Sequence, residues 1–228
     1  MKITLSFEET ISGDVSIMVD ALRASTSITV ALNNFKKVIP CFTPEEALEL
    51  QERIGGVVAG ERNGKQIEGF DIGNTPVGIL NYESDEDTLI LTTTNGTRIL
   101  ESMNSKVLVG SLVNAESVAK ASCRLANDHI DVVMAGVKGK FAIEDYLAAG
   151  EILYQICESL DEYELSEYAK TAIMASRDYD ALTEAFMNSR TSKRLIELGN
   201  IKDVEFSCQK NITENVAIFK NNELKLYI

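Results

Sequence analysis

The sequence predicts an α/β fold: three layers, α/β/α, around a mostly parallel or mixed central sheet. Three observations predict it. Short runs rich in Val, Ile and Leu alternate with amphipathic helical stretches over the first 135 residues. The apolar runs are near-continuous, as strands covered on both faces require. Polar, glycine-containing loops follow several of these runs, where an open α/β sheet places its ligands.

The expected strands are 2–7 (KITLSF), 15–20 (VSIMVD), 36–42 (KKVIPCF), 56–60 (GVVAG), 88–93 (TLILTT), 106–110 (KVLVG) and 130–135 (IDVVMA). Helices are expected near 24–33, 43–54, 96–104 and 115–127. The second of these carries its own start signal. Thr43 caps, Pro44 suits the first turn, and Glu46 completes a capping box. From 142 to about 198 the pattern is helical, with Gly150 the one glycine before Gly199. A return to strand is expected at 203–208 (DVEFSC), then a terminal hairpin in VAIFKNNELKLYI turning at Asn221-Asn222. No repeat, low-complexity tract or proline-rich linker divides residues 1–228, which read as one domain.

Composition narrows the function. A chain of 228 residues, 45% hydrophobic and 25% charged, is an ordinary globular protein. Its net charge of −13 argues against nucleic acid and anionic membranes as partners. No apolar stretch approaches the ~20 residues that span a bilayer, and MKITLSFEET is not signal-like. The expected compartment is the cytoplasm. Self-association is left open, and a homo-oligomer is compatible with everything above.

Several common chemistries are excluded. Cys41, Cys123, Cys157 and Cys208 form no CxxC pair, and none has an arginine six residues downstream. One histidine, His129, rules out multi-histidine metal sites. GERNGKQ lacks the spacing of a P-loop, and no DxDxT follows an apolar strand.

Four strand ends carry polar clusters richer than a turn requires. They are DALRASTS (20–27), GERNGKQIEGFDIGNTP (60–76), TTTNGTR (92–98) and AGVKGKFAIED (135–145). Three have a plain structural explanation, while the long glycine-rich 60–76 loop is the hardest to dismiss, since such a loop inside a compact domain is usually functional. Asp20 and Thr26 suit helix caps, Arg98 an exposed helical face, Glu144 and Asp145 a first helical turn, and Lys138 and Lys140 a solvated surface. Taken together they say more. Arg23, Arg62 and Arg98 each sit in a separate cluster, in a chain with eight arginines. Arginines and helix N-termini suit an oxyanion; carboxylate oxygens suit magnesium. A phosphate with Mg2+ needs both.

VDALRAST, GERNGKQIEGFDIGNTP, TTTNGTR and GKFAIEDYLAAG resemble, in order and spacing, the signature segments of the 2-phosphosulfolactate phosphatases of coenzyme M biosynthesis. The weaker block SRTSKRLIELGNIKDVEFSCQ extends the likeness to about residue 209. The chain departs from the family pattern at Met134, where cysteine is frequent, and in the ending CQKNITENVAIF. The resemblance implies an α/β/α enzyme that uses Mg2+ to hydrolyse 2-phospho-3-sulfolactate, or a similar small anionic phosphomonoester, to the hydroxy acid and phosphate.

On that basis Asp20, Glu61, Glu144 and Asp145 are the expected metal ligands, and Asp20, Arg23, Arg98 and Glu144 the expected catalytic groups. Ser25, Thr26, Arg62, Asn63, Asn95, Gly96 and Thr97 are the expected substrate contacts. The nucleophile is a metal-bound water or a carboxylate such as Asp20. Two other readings stay open: an anion-binding regulatory module without turnover, and a magnesium-dependent lyase or phosphotransferase on a phospho-acid.

Overall fold

The computed structural model of the chain describes residues 1–93 and 96–227, with Glu101 described by its backbone. The first part alternates as expected: β1 (Lys2–Phe7), β2 (Val15–Val19), α1 (Ala24–Ala31), β3 (Lys37–Cys41), α2 (Pro44–Ile54) and β4 (Val57–Arg62). The 60–76 loop contains two short strands, β5 (Lys65–Gln66) and β6 (Ile72–Gly73), and leads into α3 (Pro76–Leu80). Then come β7 (Thr88–Thr92), α4 (Gly96–Ser102), β8 (Lys106–Gly110), α5 (Ala115–Leu125) and β9 (His129–Met134). The helical region holds α6 (Ile143–Glu158), a short β10 (Glu164–Leu165), α7 (Glu167–Ser176), α8 (Tyr179–Met187), α9 (Arg190–Glu197) and α10 (Ile201–Ser207). A hairpin of β11 (Ala217–Lys220) and β12 (Glu223–Leu226) follows.

These strands form one mixed 12-stranded sheet, in the order β10-β1-β9-β2-β8-β11-β12-β3-β7-β4-β5, with β6 also on β4. β10, β1, β9, β2 and β8 are mutually parallel, and so are β3, β7, β4 and β6. The terminal hairpin joins the two groups: β11 pairs antiparallel with β8, and β12 antiparallel with β3. It turns at Asn221 and Asn222, with φ of 54° and 60°, the paired left-handed residues of a type I′ turn.

The sheet wraps around α1. One apolar cluster joins Met18, Val109 and Val133 of the first group to Val38, Leu91 and Ala59 of the second, with Ile28 and Val30 of α1 between them. Every residue of α1 is buried. On the outer faces, Ile17 and Val132 pack with Leu147 and Ile152 of α6, while Val58 and Ile90 pack with Ala47 of α2. Sheet twist, about 20–25° per strand, rotates the second group relative to the first. The ends of β2, β4, β7 and β9 therefore meet although their groups run in opposite senses along the ladder.

The expected strand at 203–208 is a helix, α10. DVEFSC alternates in hydropathy, but its buried residues Asp203, Val204 and Ser207 fall at helical spacing. Among the described residues, no helix is long and apolar enough to cross a membrane.

Candidate active site

Asp20 leaves the end of β2 and is buried. Its Oδ1 accepts the Ala24 N–H at 3.3 Å. Its Oδ2 faces Gly96 at the start of α4, where a Cβ would stand 3.5 Å from Oδ2 and 2.8 Å from Ala24 Cβ. A residue without a side chain lets α4 begin this close to the carboxylate. The neighbouring hydroxyls shape the turn itself. Ser25 Oγ accepts the Asp20 N–H at 2.8 Å and donates to Met18 O at 3.3 Å; Thr26 Oγ1 donates to Ala21 O at 3.0 Å. Both are buried and aim Asp20, and neither is among the residues lining the cavity described next.

A cavity of about 610 Å³ opens at these strand ends. The β2–α1 turn contributes Asp20, Leu22 and Arg23 to its lining. The 60–76 segment contributes Glu61, Asn63, Gly64 and Asn74, and Thr93 follows β7. Val137 and Lys138 follow β9, and α9 brings Arg190, Thr191, Arg194 and Leu195.

The carboxylates gather at one place. Burial pushes the Asp20 carboxyl up to about 7; the Ala24 N–H opposes this, Glu61 and Glu144 add to it, and Arg23 counters in part. Burial also pushes Asp145 well above the usual range, reinforced by Asp20 and Glu144. Both Asp145 oxygens accept backbone N–H groups, from Ala21 at 2.8 Å and Gly136 at 2.9 Å, so this side chain ties the β2–α1 turn to the β9–α6 loop. Glu144 is buried beside it, and its carboxylate has no hydrogen-bond donor among the described residues. Glu61 Oε2 accepts the Gly64 N–H at 2.6 Å. Among the described residues, no three His, Cys, Asp or Glu side chains already converge in metal-ligand geometry. The donor set nevertheless suits a hard cation: all-oxygen, charged and mutually repelling.

The expected arginines part ways. Arg23 lines the cavity while its Nη1 donates to Asp203 Oδ2 at 2.8 Å. Arg62 donates to Phe42 O at 2.7 Å and Glu61 O at 3.0 Å and is not in the lining. Arg98 is 47% exposed and paired with Glu8 at 2.5 Å, also outside the lining. Thr97 is buried, with its Oγ1 on Cys41 O at 3.4 Å and its N–H on Thr93 Oγ1 at 3.3 Å. Asn63 does line the cavity and accepts from Lys138 Nζ at 3.3 Å. Asn95 lies outside the described residues.

Sequence reasoning placed Asn74, Thr93 and Lys138 in its strand-end polar clusters without giving them a role, and assigned none to the α9 residues. The signal for α9 was present: Ser189 before Arg190 and Arg194 is a cap followed by two cations one turn apart. It also missed that Asn63-Gly64, at φ 55° and 83°, is the tight turn of the β4–β5 hairpin.

Comparison with known proteins identifies the family. The sequence model of the 2-phosphosulpholactate phosphatase family matches residues 3–222. The chain is 46% identical over 226 residues to the 2-phosphosulfolactate phosphatase of Methanothermobacter thermautotrophicus, covering 99% of this chain and 96% of that protein. It is 36% identical over 222 residues to a protein of Clostridium acetobutylicum named probable 2-phosphosulfolactate phosphatase, covering 95% and 94%. A Clostridium tetani protein of the same name is 37% identical over 226 residues, covering 96% and 94%. The chain belongs to the 2-phosphosulfolactate phosphatase family.

Proposed function

We propose that the chain is a magnesium-dependent phosphatase that hydrolyses 2-phospho-3-sulfolactate to sulfolactate and phosphate. The observation that carries this reading is the cavity at the strand ends, where the buried Asp20, the half-buried Glu61 and four cationic side chains line one space. The buried Glu144 lies behind the lining, close enough to raise Asp20. An anion alone needs the cations; an anion with a divalent metal needs both. The names of the relatives support the substrate.

Asp20, Glu61 and Glu144 are the residues that would hold Mg2+, and the charge they concentrate is the reason. Bound there, the ion supplies positive charge against the phosphoryl oxygens. Asp145 fixes the two loops that carry Asp20 and Glu144. Arg23, held by Asp203, faces the phosphoryl group with its remaining N–H groups, where electrostatic stabilisation is the main catalytic resource. Hydrolysis moves one proton from the attacking water to the leaving sulfolactate oxygen. No histidine lines the cavity among the described residues, and His129 lies in β9 on Thr4 at 2.8 Å. A carboxylate of the cluster therefore handles the proton.

The test is product analysis. Purified protein with Mg2+ should release sulfolactate and inorganic phosphate in equal amounts from 2-phospho-3-sulfolactate. Loss of phosphate with a double bond in the organic product would indicate a lyase, and no release would favour the non-catalytic binding module.

A further inference from the structure

The cavity draws its charges from different elements. Strand ends supply Asp20 and Glu61, while α9 supplies Arg190 and Arg194. The two arginines are four residues apart and so share one helical face. Among the arginines of the cavity and of the polar clusters at the strand ends, they are the two not already committed to a close partner. Arg23 is matched by Asp203, Arg98 by Glu8, and Arg62 donates to backbone carbonyls. Arg190 has no ion-pair partner among the described residues. Arg194 has an exposed contact with Glu197 at 3.5 Å, a weak pair in water.

Two further observations point to an anion in this cavity, and a third seats α9 at it. Asn74, 3% exposed, lines the same cavity with neither amide atom hydrogen-bonded among the described residues, and its NH2 is the group that can donate to an anion. α9 begins at the cavity with Arg190 and Thr191, adding the positive end of its dipole. The tip of the β4–β5 hairpin packs on this helix, since a Cβ at Gly64 would meet Leu198 Cδ1 at 2.7 Å and Leu195 Cδ2 at 3.6 Å. The helix is thus seated against the loop that carries Glu61. In a chain of net charge −13, cations gathered in one cavity are a local device for an anion.

We propose that Arg190 and Arg194 form a subsite for a second anionic group of the phosphorylated substrate, separate from the carboxylate cluster that serves its phosphoryl group. The group is the sulfonate in the reading above, on which this inference rests. Guanidinium forks match the oxygens of a sulfonate as they match those of phosphate. The subsite makes α9 the element that selects among small phosphorylated acids.

The experiment compares 2-phospho-3-sulfolactate with 2-phospholactate, which lacks the sulfonate, in wild type, Arg190→Ala and Arg194→Ala. Circular dichroism establishes folding, and calorimetry measures the binding of sulfolactate. The expected result is a roughly 10- to 100-fold loss of kcat/KM on the sulfonated substrate, at least tenfold larger than any loss on 2-phospholactate. Sulfolactate binding should weaken in parallel. Equal losses on both substrates, or none on the sulfonated one, would overturn the subsite. If wild type hydrolyses neither substrate, the phosphatase reading fails. Calorimetry then decides the subsite alone: weaker sulfolactate binding in the variants upholds it, and unchanged or undetectable binding refutes it.

Discussion

Arg23 and Asp203, 180 residues apart in sequence, form an ion pair of 2.8 Å with side chains 4% and 3% exposed. Asp203 is saturated: Oδ2 takes Arg23, and Oδ1 takes Thr75 Oγ1 at 2.6 Å and the Val77 N–H at 3.2 Å. One carboxylate in α10 thus ties together the β2–α1 turn and the end of the 60–76 loop. Removing it strands a buried guanidinium. Asp203→Ala should cost about 3–5 kcal/mol of folding free energy, read from urea denaturation at neutral pH. A cost below about 1 kcal/mol would mean that water or another carboxylate replaces the pair.

Asp20→Asn separates chemistry from structure. The amide keeps the shape and an oxygen for the Ala24 N–H, so folding should change by about 1 kcal/mol or less. Loss of the negative charge should lower kcat by orders of magnitude. Acid-quenched wild-type enzyme carrying phosphate on Asp20 would mark it as the nucleophile. Absence of such phosphate, with poor Mg2+ binding by the variant, would mark it as a ligand. Normal turnover by Asp20→Asn would reduce the residue to part of a well-made turn.

Arg98 tests the boundary of the site. Its guanidinium is half exposed and paired with Glu8, away from the cavity lining. Arg98→Ala should therefore leave kcat/KM within about threefold of wild type, the scale of losing an exposed ion pair. A hundredfold loss would show that Arg98 leaves Glu8 for the phosphoryl group during turnover.

Stability of the metal-free protein should depend on pH in a stated direction. Burial raises Asp20 from 3.8 to about 7, so between those values the folded state holds a proton that the unfolded chain has released. That contribution is complete below the unfolded value and is lost as pH rises through about 7. Asp145, raised chiefly by burial, acts in the same sense. At the acid end Asp14 acts oppositely. Burial pushes it up, but the N–H groups of Asp128, Asn127 and His129, with Lys106, hold it at about 2. Its contribution is present above 3.8 and lost as pH falls through about 2. Thermal melts without metal should show Tm falling from about pH 5 to about pH 8, with Mg2+ flattening the slope by binding the folded state. A Tm that rises over this range without metal would contradict the buried-carboxylate account.

The alternating strands and helices were legible because each depends on local periodicity, and the Asn221-Asn222 turn because a type I′ turn has local chemistry. The place of that hairpin was not. Nothing within VAIFKNNELKLYI says that its strands pair with residues near 108 and with Val38 in the middle of the sheet. The misread stretch 203–208 has the same cause. DVEFSC alternates locally, and the partners that fix it as a helix, Arg23 and Val77, lie far away in sequence. The position of Asp20 and Glu61 at the strand ends, where the cavity opens, was legible from carboxylates following apolar strands. The roles of Ser25 and Thr26 were not, since a hydroxyl that closes its own turn and one that faces a ligand look alike in sequence. The α9 arginines went without a role because a cap followed by two cations marks a helix start in sequence, and says nothing of that helix returning to the strand ends.

The most direct test of the account is phosphate release from 2-phospho-3-sulfolactate as free Mg2+ is varied. The account predicts no turnover in EDTA, and a rate that returns and saturates when Mg2+ is restored. Glu144→Gln, removing a proposed ligand, should need higher Mg2+ to reach half its own maximum. Full turnover by wild-type protein in metal-free buffer would contradict the central claim.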